Sequence, residues 1–287
     1  MIPALEKLIE SQAWLDTLGD PLQKFVNSLF SNAGEGGKQA KNALNGVWLG
    51  HPLHPVITDV PVGAWTCTLV LDLAASGHEE IQKAADITLA TGLLAATGAA
   101  VTGFTDWSDT YGKERKVGLL HGVTMLATFT AYTFSLLARL AGARKSGVAL
   151  SNLGYGLLSA GAYIGGDEVY DIGYGVNHTA FDHGPGKYTA VMPEADLPEG
   201  TPAKAMAGST PVLLVKQGGD IYALHDTCVH AGCSLAGGTV DGRSIICPCH
   251  GSQYDLRDGH VINGPATMPE PHFEVRVRDG QIEVKAE

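Results

Sequence analysis

Between Asp86 and Asp106 the chain carries no charged side chain, and none stands between Lys116 and Arg139 either. Uncharged runs of that length leave few choices of fold. The stretch Val117–Leu140 has 24 residues, which at ~1.5 Å rise per residue is long enough to cross a ~30 Å hydrocarbon layer. With Val56–Ala75, Asp86–Thr105 and Gly147–Gly166 it makes four apolar stretches before residue 167. The expectation is an all-α four-helix transmembrane bundle. Gly92, Gly98 and Gly103, with Ala95, Ala96, Ala99 and Ala100, supply the small faces on which membrane helices pack closely. Asp59 and Asp72 interrupt the first stretch, so a soluble helical bundle is the competing reading; charges inside a span face a partner or a cavity.

Residues 1–44 read as an amphipathic arm. Glu6, Lys7 and Glu10 break any signal-peptide core, while Leu5, Leu8, Ile9, Leu22, Phe25, Val26, Leu29 and Phe30 recur at helical spacing. Such a face packs on its own protein or lies on the membrane surface. Asn32 to Gly37 reads as a flexible link.

Beyond residue 166 the pattern changes. Phe273 to Arg278 alternates apolar and charged residues, Asp279-Gly280 is a turn signal, and Gln281 to Lys285 alternates again; the expectation is a closing β-hairpin in a small all-β domain. Ahead of it the chain reads Cys228-Val-His230-Ala-Gly-Cys233 and then Cys247-Pro-Cys249-His250-Gly-Ser252-Gln-Tyr254. Two thiolates and two imidazoles suit a [2Fe–2S] cluster with Cys228 and Cys247 on one iron and His230 and His250 on the other. Neutral imidazoles in place of thiolates remove negative charge, so reduction becomes easier. A structural zinc site is the competing reading of a Cys/His quartet, but C-x-H followed by C-x-x-H is not a usual zinc spacing.

On these motifs residues 187–287 resemble a Rieske domain, with loops similar to those of the Rieske protein of cytochrome bc complexes. The resemblance implies a disulfide between Cys233 and Cys249 tying the two loops together. It implies that the Ser252 and Tyr254 hydroxyls donate hydrogen bonds, to a bridging sulfide and to a cysteine sulfur, which raises the potential. It makes Asn263-Gly264-Pro265-Ala266 a loop covering the cluster from a third side. Ferredoxin-type Rieske proteins are similar too, but generally lack the disulfide and these hydroxyls. Where the bc-type pattern has leucine after the first histidine, this chain has Ala231, which shields the site less and shapes a quinol-docking face differently.

At the entry to the first stretch stands His51-Pro-Leu-His54-Pro55. It resembles an uncharacterised bacterial membrane-domain family over residues 45–178, to which no chemistry attaches. Four spans would bring His51, His54, Asp106, Trp107, Asp109, His121 and Asp167 to one face of the membrane, the face from which the Rieske-like domain follows. Three readings stand: a haem b with His121 opposite His51 or His54, histidines that merely bond to aspartates or carbonyls at helix ends, or a quinone headgroup bonded by His121 and Asp106.

The map is therefore an arm (1–44), a four-helix transmembrane domain (45–178), a linker (179–186) and a [2Fe–2S] domain (187–287). From Asp167 to Glu287 there are 8 Lys and Arg against 17 Asp and Glu. An acidic surface repels nucleic acid and steers a basic redox partner protein such as a c-type cytochrome, or serves solubility alone. His178 and His183 are loop histidines, metal-binding or free, and Cys67 is read as an inert packing residue. The expected function is a high-potential electron carrier anchored by several spans in the bacterial cytoplasmic membrane. The alternative is a quinol-oxidising oxidoreductase subunit whose bundle binds quinone or haem b. A Rieske oxygenase is disfavoured, because only 37 residues follow His250. Five Lys and Arg on the Rieske side of the spans against four on the other leave the orientation open.

Overall fold

The computed structural model describes residues 3–75 and 77–287, with side chains from residue 7 onward; the side chain of Leu5 lies outside the described residues. Among the described residues seven α-helices precede ten β-strands: α1 Pro3–Glu10, α2 Ala13–Ser31, α3 Gly34–Asn45, α4 Leu53–Ala74, α5 Glu79–Trp107, α6 Gly112–Leu140 and α7 Arg144–Tyr170. The strands are β1 Thr189–Pro193, β2 Ala203–Ala207, β3 Thr210–Gln217, β4 Asp220–His225, β5 Thr239–Asp241, β6 Ser244–Ile246, β7 Gln253–Asp255, β8 Val261–Asn263, β9 Phe273–Arg278 and β10 Gln281–Ala286. The chain divides into two compact units, Met1–Gly37 with Leu53–Ile172 and Lys38–Pro52 with Gly173–Glu287.

In the helical unit, α4, α5 and α6 are long and apolar enough to cross a membrane. The fourth expected stretch is helical too, within α7, yet falls outside that set among the described residues. Its glycines, Ser151, Asn152 and Ser159 dilute its hydropathy. Of the charges that interrupt α4, Asp59 is exposed, whereas Asp72 is paired with the arginine that ends α6. Arg139 and Asp72 are both 1% exposed at the side chain and form an ion pair, joined by Asp86 and Arg144. Two acids and two bases cancel, which is how charge is tolerated in such a helix bundle.

As far as Gly37 the arm packs with the helical unit. Ile9 and Leu15 are buried with Trp107, Val117 and Leu119, Gln23 donates to the carbonyls of Trp107 and Thr110, and Asp16 pairs with Arg115 and Lys116. The opposite face, Trp14, Leu18, Phe25 and Leu29, stays exposed. The expected flexible link is instead a turn running into α3. Gly37 belongs there for a packing reason: a Cβ would stand 1.9 Å from the Phe30 carbonyl oxygen. Cys67 is exposed on α4 rather than packed.

The second unit holds three antiparallel sheets, ordered β1-β10-β9, β2-β3-β4 and β5-β6-β7-β8. The expected closing hairpin is β9–β10, with Arg278 opposite Gln281 and Asp279 and Gly280 in the left-handed region at its turn. Two cores result. One, under β1–β4, β9 and β10, contains Val212, Leu214, Ile282 and Val284. The other gathers Leu213, Leu224, Val229, Leu235, Ile245, Tyr254 and Leu256 with Cys228 and Cys247. The second core is the floor of the site.

Candidate metal centre

The loop after β4 and the loop after β6 are built alike. In each, a cysteine carbonyl accepts the N–H of a glycine four residues on, Gly232 to Cys228 at 2.9 Å and Gly251 to Cys247 at 3.1 Å. Both glycines have positive φ, +75° and +78°, a conformation that lets the loop curl back on its first cysteine without a Cβ clash. The loops are tied by a disulfide between Cys233 and Cys249, with Cα atoms 6.5 Å apart. The curled loops bring Cys228 and Cys247 into one buried cluster and set the His230 and His250 rings with centroids 4.8 Å apart at 74°. The His230 Nδ1 is buried and has no hydrogen-bond partner. The cysteines form one pair and the histidines another, a grouping that fits a binuclear cluster taking two protein ligands per iron.

The neutral state of the His230 ring suits a metal ligand. Burial, then the neighbouring His250 and His178, hold the His230 imidazolium down to about 3, so the ring is neutral. A hydrogen bond from Cys228, with the N–H groups of Cys249 and His250, lowers Cys247 below an ordinary thiol, while Cys228 is pushed up by the same sharing and by burial. Tyr254 is fully buried with its hydroxyl 3.1 Å from the Cys228 sulfur, and burial raises its phenol far above the usual range. It remains a donor at any working pH. The Ser252 oxygen accepts the Ala266 N–H at 3.0 Å, which leaves the Ser252 proton to be donated elsewhere. Ala266 belongs to the Asn263–Ala266 segment between β8 and β9 and lies in the core below the site.

A model of the Rieske [2Fe-2S] domain matches residues 187–279. The ferredoxin CarAc of Metapseudomonas resinovorans is 36% identical over 98 residues, 34% of this chain and 92% of that protein. The chain belongs to the Rieske family. The cytochrome b6-f complex iron-sulfur subunit of Chlorobaculum tepidum is 37% identical over 95 residues, but this chain spans about half (51%) of that protein and the match covers 33% of this one. Among solved structures, the ferredoxin of carbazole 1,9a-dioxygenase from Nocardioides aromaticivorans IC177 aligns at 26% identity and a TM-score of 0.34, over 35% of this chain and 99% of that one. A second model, described as a predicted membrane protein (DUF2231), matches residues 50–178.

Several residues around the Rieske site carry no sequence signal. Glu270 is buried and accepts the Val229 N–H at 3.0 Å, and burial pushes its carboxyl well above the usual carboxylate range. Asp226 is fully buried and accepts from Ser234 and from the Ala236 N–H, fixing the first loop. From before the membrane region, Asn42 donates to the Ile262 carbonyl at 3.1 Å and accepts the Gly264 N–H at 2.9 Å. From after it, the Tyr174 ring stands 5.4 Å from that of His230, and His178 donates its backbone N–H to the Val229 carbonyl at 3.1 Å. His178 is thus a wall of the Rieske site, its ring bonded to the Gly173 carbonyl. These contacts leave His230 only 7% exposed and His250 only 9%.

In the helical unit the structure brings His54 and His121 together, with ring centroids 6.4 Å apart. His51 is exposed and groups with the other unit. Trp107 is buried against the arm and donates its indole N–H to the Arg115 carbonyl at 2.9 Å.

Proposed function

We propose that this protein is a membrane-anchored one-electron carrier whose Rieske domain holds a high-potential [2Fe–2S] cluster. Cys228 and Cys247 are the ligands of one iron, and His230 and His250 are those of the other. The observation that carries the reading is the two-plus-two grouping of these side chains on disulfide-tied loops. The cluster, when bound, supplies reversible one-electron exchange without group transfer. The rest is done by this chain. Tyr254 donates to the Cys228 sulfur, and Ser252, oriented by the Ala266 N–H, would offer its hydroxyl proton to the cluster when it is bound; donors of this kind favour the more negative, reduced state. Asn42 holds the Asn263–Ala266 segment in place, while Tyr174 and His178 keep water from the His230 edge.

The relatives named ferredoxins support electron carriage, and the acidic segment from Asp167 to Glu287 suits a basic redox partner such as a c-type cytochrome. By sequence the limits are 1–44 for the arm, 45–178 for the membrane domain, 179–186 for the linker and 187–287 for the cluster domain; the flanks Lys38–Pro52 and Gly173–His178 fold with the cluster domain. The protein sits in the bacterial cytoplasmic membrane with an even number of crossings. Lys38–Pro52 and Gly173–Glu287 fold as one unit, so the chain between them leaves and returns to the same unit. A segment that leaves a water-exposed unit, crosses a bilayer and comes back has crossed an even number of times. Three apolar helices do not satisfy that, and α7 is the fourth.

The test is low-temperature electron paramagnetic resonance of membranes reduced with ascorbate and then with dithionite. A Rieske signal after ascorbate supports the high-potential reading. A signal only after dithionite replaces it with a low-potential ferredoxin role, and none in iron-replete protein refutes it.

A further inference from the structure

The helical unit is an internal repeat. Aligned at an offset of 67 residues, Leu53–Ala74 and Leu120–Ala141 share eight of 22 residues, among them His54 with His121, Thr66 with Thr133 and Leu73 with Leu140. The structure pairs the equivalent positions across the two hairpins α4–α5 and α6–α7. His54 faces His121, Trp65 stacks on Tyr132 with centroids 4.2 Å apart, and Asp72 forms its ion pair with Arg139. All three pairs have the same offset. Contacts between like positions are the mark of a two-fold relation, here with its axis running between α4 and α6.

The second helix of each hairpin repeats its role as well, at an offset of 62. A Cβ on Gly92 or Gly154 would strike Trp65 or Tyr132, and a Cβ on Gly103 or Gly165 would crowd His54 or His121. Four residues before each of the latter glycines lies the carbonyl that binds the histidine: His54 Nδ1 to Ala99 O at 2.8 Å and His121 Nδ1 to Gly161 O at 2.9 Å. A carbonyl oxygen only accepts, so Nδ1 carries the proton in each ring. In the neutral imidazole the lone pair is then on Nε2. Two imidazoles thus share one small space, each with its donor nitrogen spent on the main chain and its acceptor nitrogen kept for something else. Two acceptors have nothing to offer each other, and an electrophilic centre between them satisfies both. A carbonyl bonded to the far nitrogen is also the usual support of a metal-ligating histidine.

The separation selects the centre. With roughly 2 Å from metal to nitrogen and roughly 1.1 Å from nitrogen to ring centre, two imidazoles on opposite sides of one metal have centroids ~6.2 Å apart; the observed value is 6.4 Å, with the ring planes at 87°. A bare ion takes three or four protein ligands, and no third His, Cys, Asp or Glu joins this pair among the described residues. A porphyrin iron brings its own four nitrogens and asks the protein for two. We propose that His54 and His121 are the axial ligands of a haem b held on the two-fold axis of the membrane domain. The site gives the chain a second one-electron centre, and it stands on the helical unit alone, independent of the Rieske cluster.

The experiment uses the full chain, purified in detergent from haem-replete cells and also titrated with hemin. The expected result is equimolar haem with a sharp low-spin b-type spectrum on reduction, retained in Cys228→Ser, so that failure of the cluster reading and failure of this one are told apart. His54→Gly and His121→Gly should each lose the low-spin spectrum, and added imidazole should restore it, which a merely structural histidine would not allow. Wild-type protein that neither carries haem nor takes up hemin overturns the proposal. So does equimolar copper or zinc in its place, or loss of the spectrum in His51→Ala with retention in His54→Gly.

Discussion

Replacing Tyr254 by Phe removes one oxygen atom from a fully buried side chain and leaves its ring in the core beside Ile245 and Leu213. What disappears is the hydrogen bond over 3.1 Å to the Cys228 sulfur. A hydrogen bond to a charged acceptor is worth about 1.5–3 kcal/mol, and only the part by which it strengthens on reduction alters the potential. If that part is roughly 1 kcal/mol, the conversion of ~59 mV per tenfold for one electron gives a drop of about 40 mV. If the whole bond is made only to the reduced sulfur, the drop approaches ~130 mV. Because burial keeps the phenol protonated far above neutrality, the drop should be the same at pH 6 and pH 8. The assay is a redox titration of both proteins followed by electron paramagnetic resonance. A midpoint unchanged within ~10 mV, or one that rises, refutes the role given to Tyr254.

The remaining predictions concern assembly. Cys228→Ser or His250→Ala should abolish the Rieske signal, and a native spectrum in either would remove the ligand assignment. Cys233→Ser opens a disulfide that spans 16 residues of sequence; about 3 kcal/mol of stability should be lost, with faster release of iron to a chelator, and an unchanged melting temperature would count against it. Asn42→Ala deletes three hydrogen bonds to β8 and the residue after it at a cost of about 1–3 kcal/mol, read as faster iron loss with an unaltered signal shape. Asp72→Ala strips the 1%-exposed Arg139 of its main partner and should cost about 3–5 kcal/mol in detergent unfolding. Because the two positions are equivalent in the repeat, the exchanged pair Asp72→Arg with Arg139→Asp should recover part of that loss; a double variant no better than the single would argue against the two-fold relation.

The cluster motif was legible because metal ligation imposes fixed spacings, and the closing hairpin because alternation over Phe273–Lys285 leaves one register. The walls of the site were not. Asn42 and Gly264 are 222 residues apart, and nothing local distinguishes an asparagine that clamps a loop from one that caps a helix. Tyr174 and His178 sit in a glycine-rich segment that by sequence falls within the limits of the membrane domain, 45–178. Their position over His230 depends on backbone bonds to Val229 and Gly173 that no side-chain pattern announces.

The helix α7 shows why hydropathy fails as a guide to this kind of bundle. Gly147, Gly154 and Gly161 recur every seven residues, and each meets a side chain of α6: Arg139, Tyr132 and Met125, also seven apart and in reverse order. The large residue lies where the small one makes room, so the helices approach closely over four turns. Hydropathy scores each glycine as a weakness, although each is the place where an apolar or charged side chain of the neighbour is sheltered. The ion pair of Arg139 and Asp72 illustrates the same point: two residues that argue against a membrane one at a time cancel across the repeat axis. What decides whether such a helix belongs in a bilayer is the surface left after pairing, and in a duplicated bundle that is readable only when each residue is set beside its repeat equivalent.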